Sequence, residues 1–131
     1  MSGITDLDML LRSMSPQLMD GEYVFCSVPG ALSDYVQYNP LATYQEIEGL
    51  TLVLTVEEAR RGKFEFEGIY RLITLMIHSS LDAVGLTAAV ASKLKDHEIS
   101  ANVIAAYYHD HIFIQKDKAE LALSALKEFN V

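Results

Sequence analysis

The residues best suited to hold a small ligand gather at two places in this chain. One is His78-Ser79-Ser80-Leu81-Asp82-Ala83-Val84-Gly85, and the other is Tyr108-His109-Asp110-His111. A helix opening around Val84 would offer unpaired backbone N–H groups and a partial positive charge, a natural seat for a carboxylate. Gly85 would let ligand atoms come close to the backbone. Ser79 and Ser80 supply donors and acceptors, and Asp82 could hold an α-ammonium group. A small zwitterion fits that chemistry. The same residues also have a purely local use, since Ser80 and Asp82 are ordinary helix N-caps and His-Asp-His is ordinary turn polarity. The residues alone leave both readings open.

Metal binding and catalysis are less well served. Alternation along an extended segment sends His109 and His111 to one face, where His78 could join them, and zinc takes three or four such ligands. No HExxH and no cysteine pair supports a site, so the reading is no metal and no cofactor. There is no Gly-x-Ser-x-Gly elbow, phosphate loop or dinucleotide fingerprint. Ser79 next to His78 on a strand would face the opposite way, so adjacency does not make a nucleophile and its base. No catalytic set is visible, and the chain is read as a non-enzyme. Tyr107-Tyr108 suits core or interface packing.

The elements that would position the two corners follow from periodicity. Residues 71–78 form an apolar, β-branched run that reads as a buried strand. Leu86, Val90 and Leu94 recur every four residues with Ala89 alongside, marking one helical stripe, while Lys93, Lys95, Asp96 and Glu98 mark its wet side and its end. Residues 99–108 read as a second strand, His109-Asp110 as a tight turn and residues 111–115 as a third strand. Asp117 with Glu120 has the pattern of a capping box for a last helix. Strand, helix, strand, strand, helix is most of a ferredoxin-like split βαβ unit. In that topology the first and second strands run parallel, so both polar corners share one rim. The third strand lies beside the first and sets His111 near His78.

The first half repeats this plan imperfectly. Thr5 or Asp6 can cap a helix reaching Met14, which Ser15-Pro16 ends. Residues 22–28 read as a strand closed by Pro29-Gly30, and Leu32, Tyr35 and Val36 allow one helical turn. Residues 42–48 and 50–54 read as strands joined at Gly49, and Thr55 with Glu58 is a capping box. Phe64 and Phe66 alternate with Glu65 and Glu67 before Gly68. We read a degenerate repeat of about sixty residues, the first copy with a stunted helix. The modules are residues 1–67 and 68–131, expected to pack together because no flexible linker separates them.

Composition sets outer limits. With 131 residues and a formal charge of −8, the chain repels phosphate backbones and anionic lipid, so neither nucleic acid nor membrane is an expected partner. The basic pair Arg60-Arg61 stands beside Glu57 and Glu58 and reads as a solvated helix end. No apolar run approaches the roughly eighteen residues of a membrane span, and residues 1–20 lack the order of a signal peptide. Cys26 is the only cysteine, sits in an apolar stretch, and reads as an inert thiol. The default compartment is a reducing cytoplasm.

Residues 71–129 resemble an ACT domain, the small ligand-binding regulatory module of amino-acid metabolism. The resemblance rests on the strand into His78, on Val84-Gly85-Leu86, and on Glu98-Ile99-Ser100-Ala101-Asn102. Tyr108-His109-Asp110-His111-Ile-Phe-Ile with Ala119 and Leu123 continues it, and Val28-Pro29-Gly30-Ala31-Leu32 looks like a second such corner. The whole chain is similar to small stand-alone bacterial proteins carrying tandem ACT domains. The resemblance implies an α+β fold of two ferredoxin-like βαββαβ modules, the first degenerate. It also implies a small-molecule ligand, an amino acid, at the first strand-to-helix corner and the start of the second strand. The ligand-binding residues so nominated are Ser79, Ser80, Asp82, Ala83, Val84, Gly85, Leu86 and Asn102, with Pro29 and Gly30 in the first module; His78 and His111 join them on topology. Val84 stands where the family usually has proline, and no strand follows the last helix, so an early segment or another chain must fill that edge. With no catalytic domain attached, a regulated enzyme or transporter would be reached in trans. Exposed sheet edges favour a homodimer or higher homo-oligomer. The alternative is a structural or interaction subunit that keeps the fold without a ligand, and a small hydrolase or metal protein stands behind both.

Overall fold

The computed structural model describes residues 6–76 and 85–130. In chain order its elements are α1 (Leu7–Ser13), β1 (Pro16–Leu18), β2 (Tyr23–Val28), β3 (Ala42–Gln45), β4 (Leu50–Thr55) and α2 (Val56–Arg61). β5 (Tyr70–Leu75), α3 (Leu86–Asp96), β6 (Asn102–Ala105), β7 (Asp110–Gln115) and α4 (Ala119–Lys127) complete them. The chain divides into two compact units, Gly21–Tyr70 and a second made of Met1–Asp20 with Arg71–Val131. Residues at the start of the chain thus pack with the second repeat.

Those early residues supply the edge strand that the second module lacks. Asp6 caps α1, its Oδ1 accepting from the Met9 amide at 3.0 Å. Proline at position 16 cannot continue a helix, and β1 begins there, antiparallel to β5 with Pro16 opposite Leu75 and Leu18 opposite Ile73. The order in this unit is β1-β5-β7-β6. Asn130 closes the arrangement from the far end of the chain, its Nδ2 donating to the carbonyl oxygens of Met14 at 2.6 Å and Arg12 at 3.2 Å. One face of the sheet is covered by helices. Leu86, Val90 and Leu94 of α3 bury against Ile73, Leu75, Ile112 and Ile114, with Ala122 and Leu126 of α4 in the same core. The helical stripe read from the spacing is the buried face.

Two local expectations change. The hairpin tip is Tyr107-Tyr108, closed by the Ala106 amide donating to the His109 carbonyl at 3.0 Å, so Asp110 starts β7 rather than the turn. Strand β6 is correspondingly shorter than residues 99–108. The register pairs Val103 with Ile112 and Ala105 with Asp110, and it places Ile112 and Ile114 in the helix-covered core. Asp117 does not cap α4. It lies in a 3-10 turn, Lys116–Lys118, and the helix begins at the buried Ala119 with no side-chain cap.

In the unit Gly21–Tyr70 the strand order is β3-β4-β2. Val24, Cys26 and Val28 pack with Leu50, Leu52 and Leu54 and with Val56 and Ala59 of α2. Thr55 caps α2 as expected, its Oγ1 accepting from the Glu58 amide at 3.2 Å. The helix expected after β2 is reduced to two 3-10 turns, Leu32–Asp34 and Val36–Tyr38. Residues 64–69 form no strand despite their alternation. The internal repeat is plain in the hairpins: Ala42 opposite Val53 and Gln45 opposite Leu50 become Asn102 opposite Phe113 and Ala105 opposite Asp110, sixty positions on. The Glu46 amide donates to the Gly49 carbonyl at 2.9 Å as Ala106 does to His109, so this tip is Ile47-Glu48 rather than Gly49. The chain is therefore α+β, two ferredoxin-like modules of which the first is degenerate.

Candidate functional site

Gly85 opens α3 in the left-handed region, at φ +92°, where a side chain is strained, and it provides no side-chain acceptor for the first amides of the helix. The next residues, Leu86 and Thr87, line a narrow crevice with Leu75, Val90, Val103 and Asp110, too tight as it stands to hold a water molecule. A Cβ built on Gly85 would come within 3.2 Å of Leu7 Cδ2, so α1 lies against the start of α3. Asp110 and Thr87 are thus the polar residues of an otherwise apolar crevice. Burial pushes the Asp110 carboxyl above the usual range, although His111 and His109 pull the other way.

His111, one residue along, has its Nδ1 2.9 Å from Thr74 Oγ1. Burial lowers its pKa, the neighbouring His109 adds to the effect, and Asp110 opposes it. The rings of His109 and His111 lie 6.3 Å apart, edge to face. Among the described residues no three histidine, cysteine or acidic side chains gather where they could hold a metal ion.

The other nominated residues fare differently. Asn102 spends its amide on the sheet, donating from Nδ2 to the Phe113 carbonyl at 3.1 Å. His78, Ser79, Ser80, Asp82, Ala83 and Val84 lie outside the described residues. The side-chain partner that the structure gives His111 is Thr74. Pro29 and Gly30 form a corner closed on itself. Asp34 Oδ2 accepts from the Ala31 amide at 3.3 Å, and a Cβ on Gly30 would sit 2.9 Å from that same oxygen. The Tyr35 hydroxyl donates to the Pro29 carbonyl. At this corner the protein's own carboxylate takes the amide that an anionic ligand would seek.

Sequence reasoning placed Asp110 in a polar corner without nominating it as a ligand residue, and passed over Thr74 altogether. Thr74 stood out only as one hydroxyl inside an apolar strand, and it is 3% exposed. A second cavity, in the unit Gly21–Tyr70, was also missed. It is an open groove of about 750 Å³ beside Phe25, Ser27, Phe64, Phe66, Gly68 and Tyr70. Cys26 is buried and free, and burial raises its thiol pKa.

Two family models, each describing an ACT domain, match the chain in tandem, at residues 2–71 and 67–128. The chain belongs to the ACT-domain family. ACT domains are regulatory modules, not catalytic ones. The solved structure of a Vibrio cholerae protein of unknown function, described as a possible transport protein, is 61% identical, covering 99% of this chain and 100% of that one with a TM-score of 0.90. An Agrobacterium tumefaciens protein shares the fold at 14% identity, covering 89% of each chain with a TM-score of 0.71. The regulatory subunit of aspartate kinase from Thermus thermophilus does so at 9% identity, covering 88% of this chain and 95% of that one with a TM-score of 0.57. No curated protein matches the chain. Among the described residues of this ACT protein, no helix is long and apolar enough to cross a membrane.

Proposed function

We propose that this ACT protein binds a small α-amino acid at the start of α3 and regulates a partner in trans. The observation that carries the reading is the meeting of Asp110 with Leu86 and Thr87 in one crevice. The bare first turn of α3 suits an α-carboxylate, and the Asp110 carboxylate suits an α-ammonium group. The crevice as it stands has no room for a water molecule, so an amino acid would have to part its walls on binding. Ser79, Ser80 and Asp82, with Ala83 and Val84 between them and α3, would complete the pocket from the preceding corner. Only the second module carries this site, since Asp34 already fills the corresponding place beside Gly30. A homodimer in the cytoplasm is part of the same reading.

Thermal unfolding of the full chain against the common amino acids tests it. Ligand at a hundred times its Kd should stabilise the native state by about 2.7 kcal/mol, a shift of several degrees. Asp110→Asn should weaken the effective amino acid about tenfold or more. Gly85 is a poor probe, because a side chain there would strike Leu7 as well as strain the backbone. No stabilisation by any amino acid would refute the proposal. A second reading, an interaction subunit without a ligand, draws on the hairpin tip, where Tyr107 and Tyr108 are 54% and 55% exposed with rings 5.0 Å apart. Exposed tyrosines of this kind are common at protein interfaces.

A further inference from the structure

The cavity in the unit Gly21–Tyr70 has no part in the amino-acid site, and its chemistry is different. It forms at the flank of β2 away from β4, where Tyr23 pairs with Tyr70 and residues 64–69 pass without strand structure. β5 reaches this flank at that one pair, and the rest of the flank is not filled by a strand from residues 64–69. Instead there is a space of about 750 Å³, within the roughly 300–1,000 Å³ of small-molecule pockets.

Aromatic residues line it, and two of them, Phe64 and Phe66, also pack against the core of the unit. Phe25 and Tyr70 meet edge to face at 5.4 Å, and Phe64 is held against Tyr38 at 4.9 Å and Tyr35 at 5.9 Å. Gly62 makes room for the Phe64 ring, since a Cβ there would lie 2.4 Å from it. Rigid rings lose little freedom when a ligand arrives. The polar lining is acidic, with the exposed Glu65 and Glu67 on the segment beside the groove and Ser27 on the strand. No lysine or arginine is among these lining residues. The nearby Arg61 is held elsewhere, by Glu58 at 2.7 Å, by the Gln37 carbonyl at 2.7 Å, and over the Tyr38 ring.

Ring faces and carboxylates attract the same kind of group. A cation gains from the aromatic quadrupole and from the acidic side chains together, and the chain's charge of −8 adds a favourable field. A bare metal ion is a poor match, because it would need more oxygen donors than two carboxylates and would gain nothing from the apolar walls. An apolar body with charged ends matches both surfaces. We propose that this pocket binds an aliphatic di- or polyamine, its methylene chain lying on the Phe25, Phe66 and Tyr70 rings and its ammonium ends meeting Glu65 and Glu67.

Calorimetric titration of the full chain with spermidine, in about 150 mM salt to screen non-specific attraction, tests this. Saturable binding should weaken about tenfold or more in Glu65→Gln/Glu67→Gln. Phe66→Leu, which keeps apolar bulk but removes the ring face, should weaken it severalfold. The control Glu57→Gln/Glu120→Gln removes two acids elsewhere and should leave binding unchanged, and magnesium at equal concentration should not displace spermidine. Absence of spermidine binding would overturn the proposal. So would equal losses in the two double variants, or full displacement by magnesium. Asp110→Asn should not alter spermidine binding, so the fates of the two sites can be told apart.

Discussion

Thr74 Oγ1 lies 2.9 Å from His111 Nδ1, tying β5 to β7 at the one polar side chain buried among the described residues. Either the hydroxyl donates to a bare Nδ1 or the Nδ1–H donates to the hydroxyl, and both groups are satisfied by the same contact. Thr74→Val keeps the shape and removes the partner. We expect a loss of about 1–2 kcal/mol, read from urea unfolding at pH 7.5. A loss no greater than that of an exposed threonine substitution would mean the pair is incidental.

The same histidine gives stability a pH dependence. Its pKa in the folded chain lies below the ordinary 6.5, first because of burial and then because of His109. The unfolded chain therefore takes up this proton first as pH falls. Stability contributed by neutral His111 is present above about pH 6.5 and is lost as pH drops through that value toward the folded pKa. Asp110 acts oppositely and at lower pH. Its folded pKa is raised above 3.8 by burial, so its protonation favours the folded state as pH falls through the raised value. Unfolding free energy measured across pH 4–8 should decline below about 6.5, and His111→Gln should flatten that decline.

Gly62 is explained by a neighbour rather than by its backbone. A Cβ there would lie 2.4–2.9 Å from the Phe64 ring, which Tyr35 and Tyr38 hold in place. Gly62→Ala should cost about 1–3 kcal/mol despite the better helix propensity of alanine. Denaturant midpoints of the two proteins check it.

Glu98 takes the left-handed position that ends α3, at φ +60°. Its amide donates to the Lys95 carbonyl at 2.8 Å, and the Ile99 amide returns to Leu94 at 2.9 Å. Glycine is the residue that adopts this conformation without strain. Glu98→Gly should therefore raise stability by about 0.5–1 kcal/mol, even after glycine's greater unfolded-state entropy is counted. The melting temperature should rise rather than fall.

Much of the fold was legible because the core obeys simple periods. Leu86, Val90 and Leu94 announced α3, and Asp6 and Thr55 announced two helix starts. What stayed hidden depended on distant pairing. Nothing local in Pro16-Gln17-Leu18 shows that it would sit against Leu75, Thr74 and Ile73, more than fifty residues away. The tip at Tyr107-Tyr108 follows from the pairing of Ala105 with Asp110 across the strands, which the turn polarity of His109-Asp110 does not reveal. In the candidate site, Gly85 and Leu86 could be read from their place before the stripe, whereas Asp110 reads as turn polarity until the hairpin register carries it into the crevice. The acid-aromatic cavity was least legible of all, since Phe64-Glu65-Phe66-Glu67 has the alternation of a strand it does not form.

The most direct test is an amide NMR titration of the full chain with the amino acid that most stabilises it. The account predicts that the signals of Leu86, Thr87, Asp110 and His111 shift and saturate together, and that Asp110→Asn weakens the response about tenfold. Saturable shifts confined to other residues, or no shifts at saturating amino acid, would contradict it.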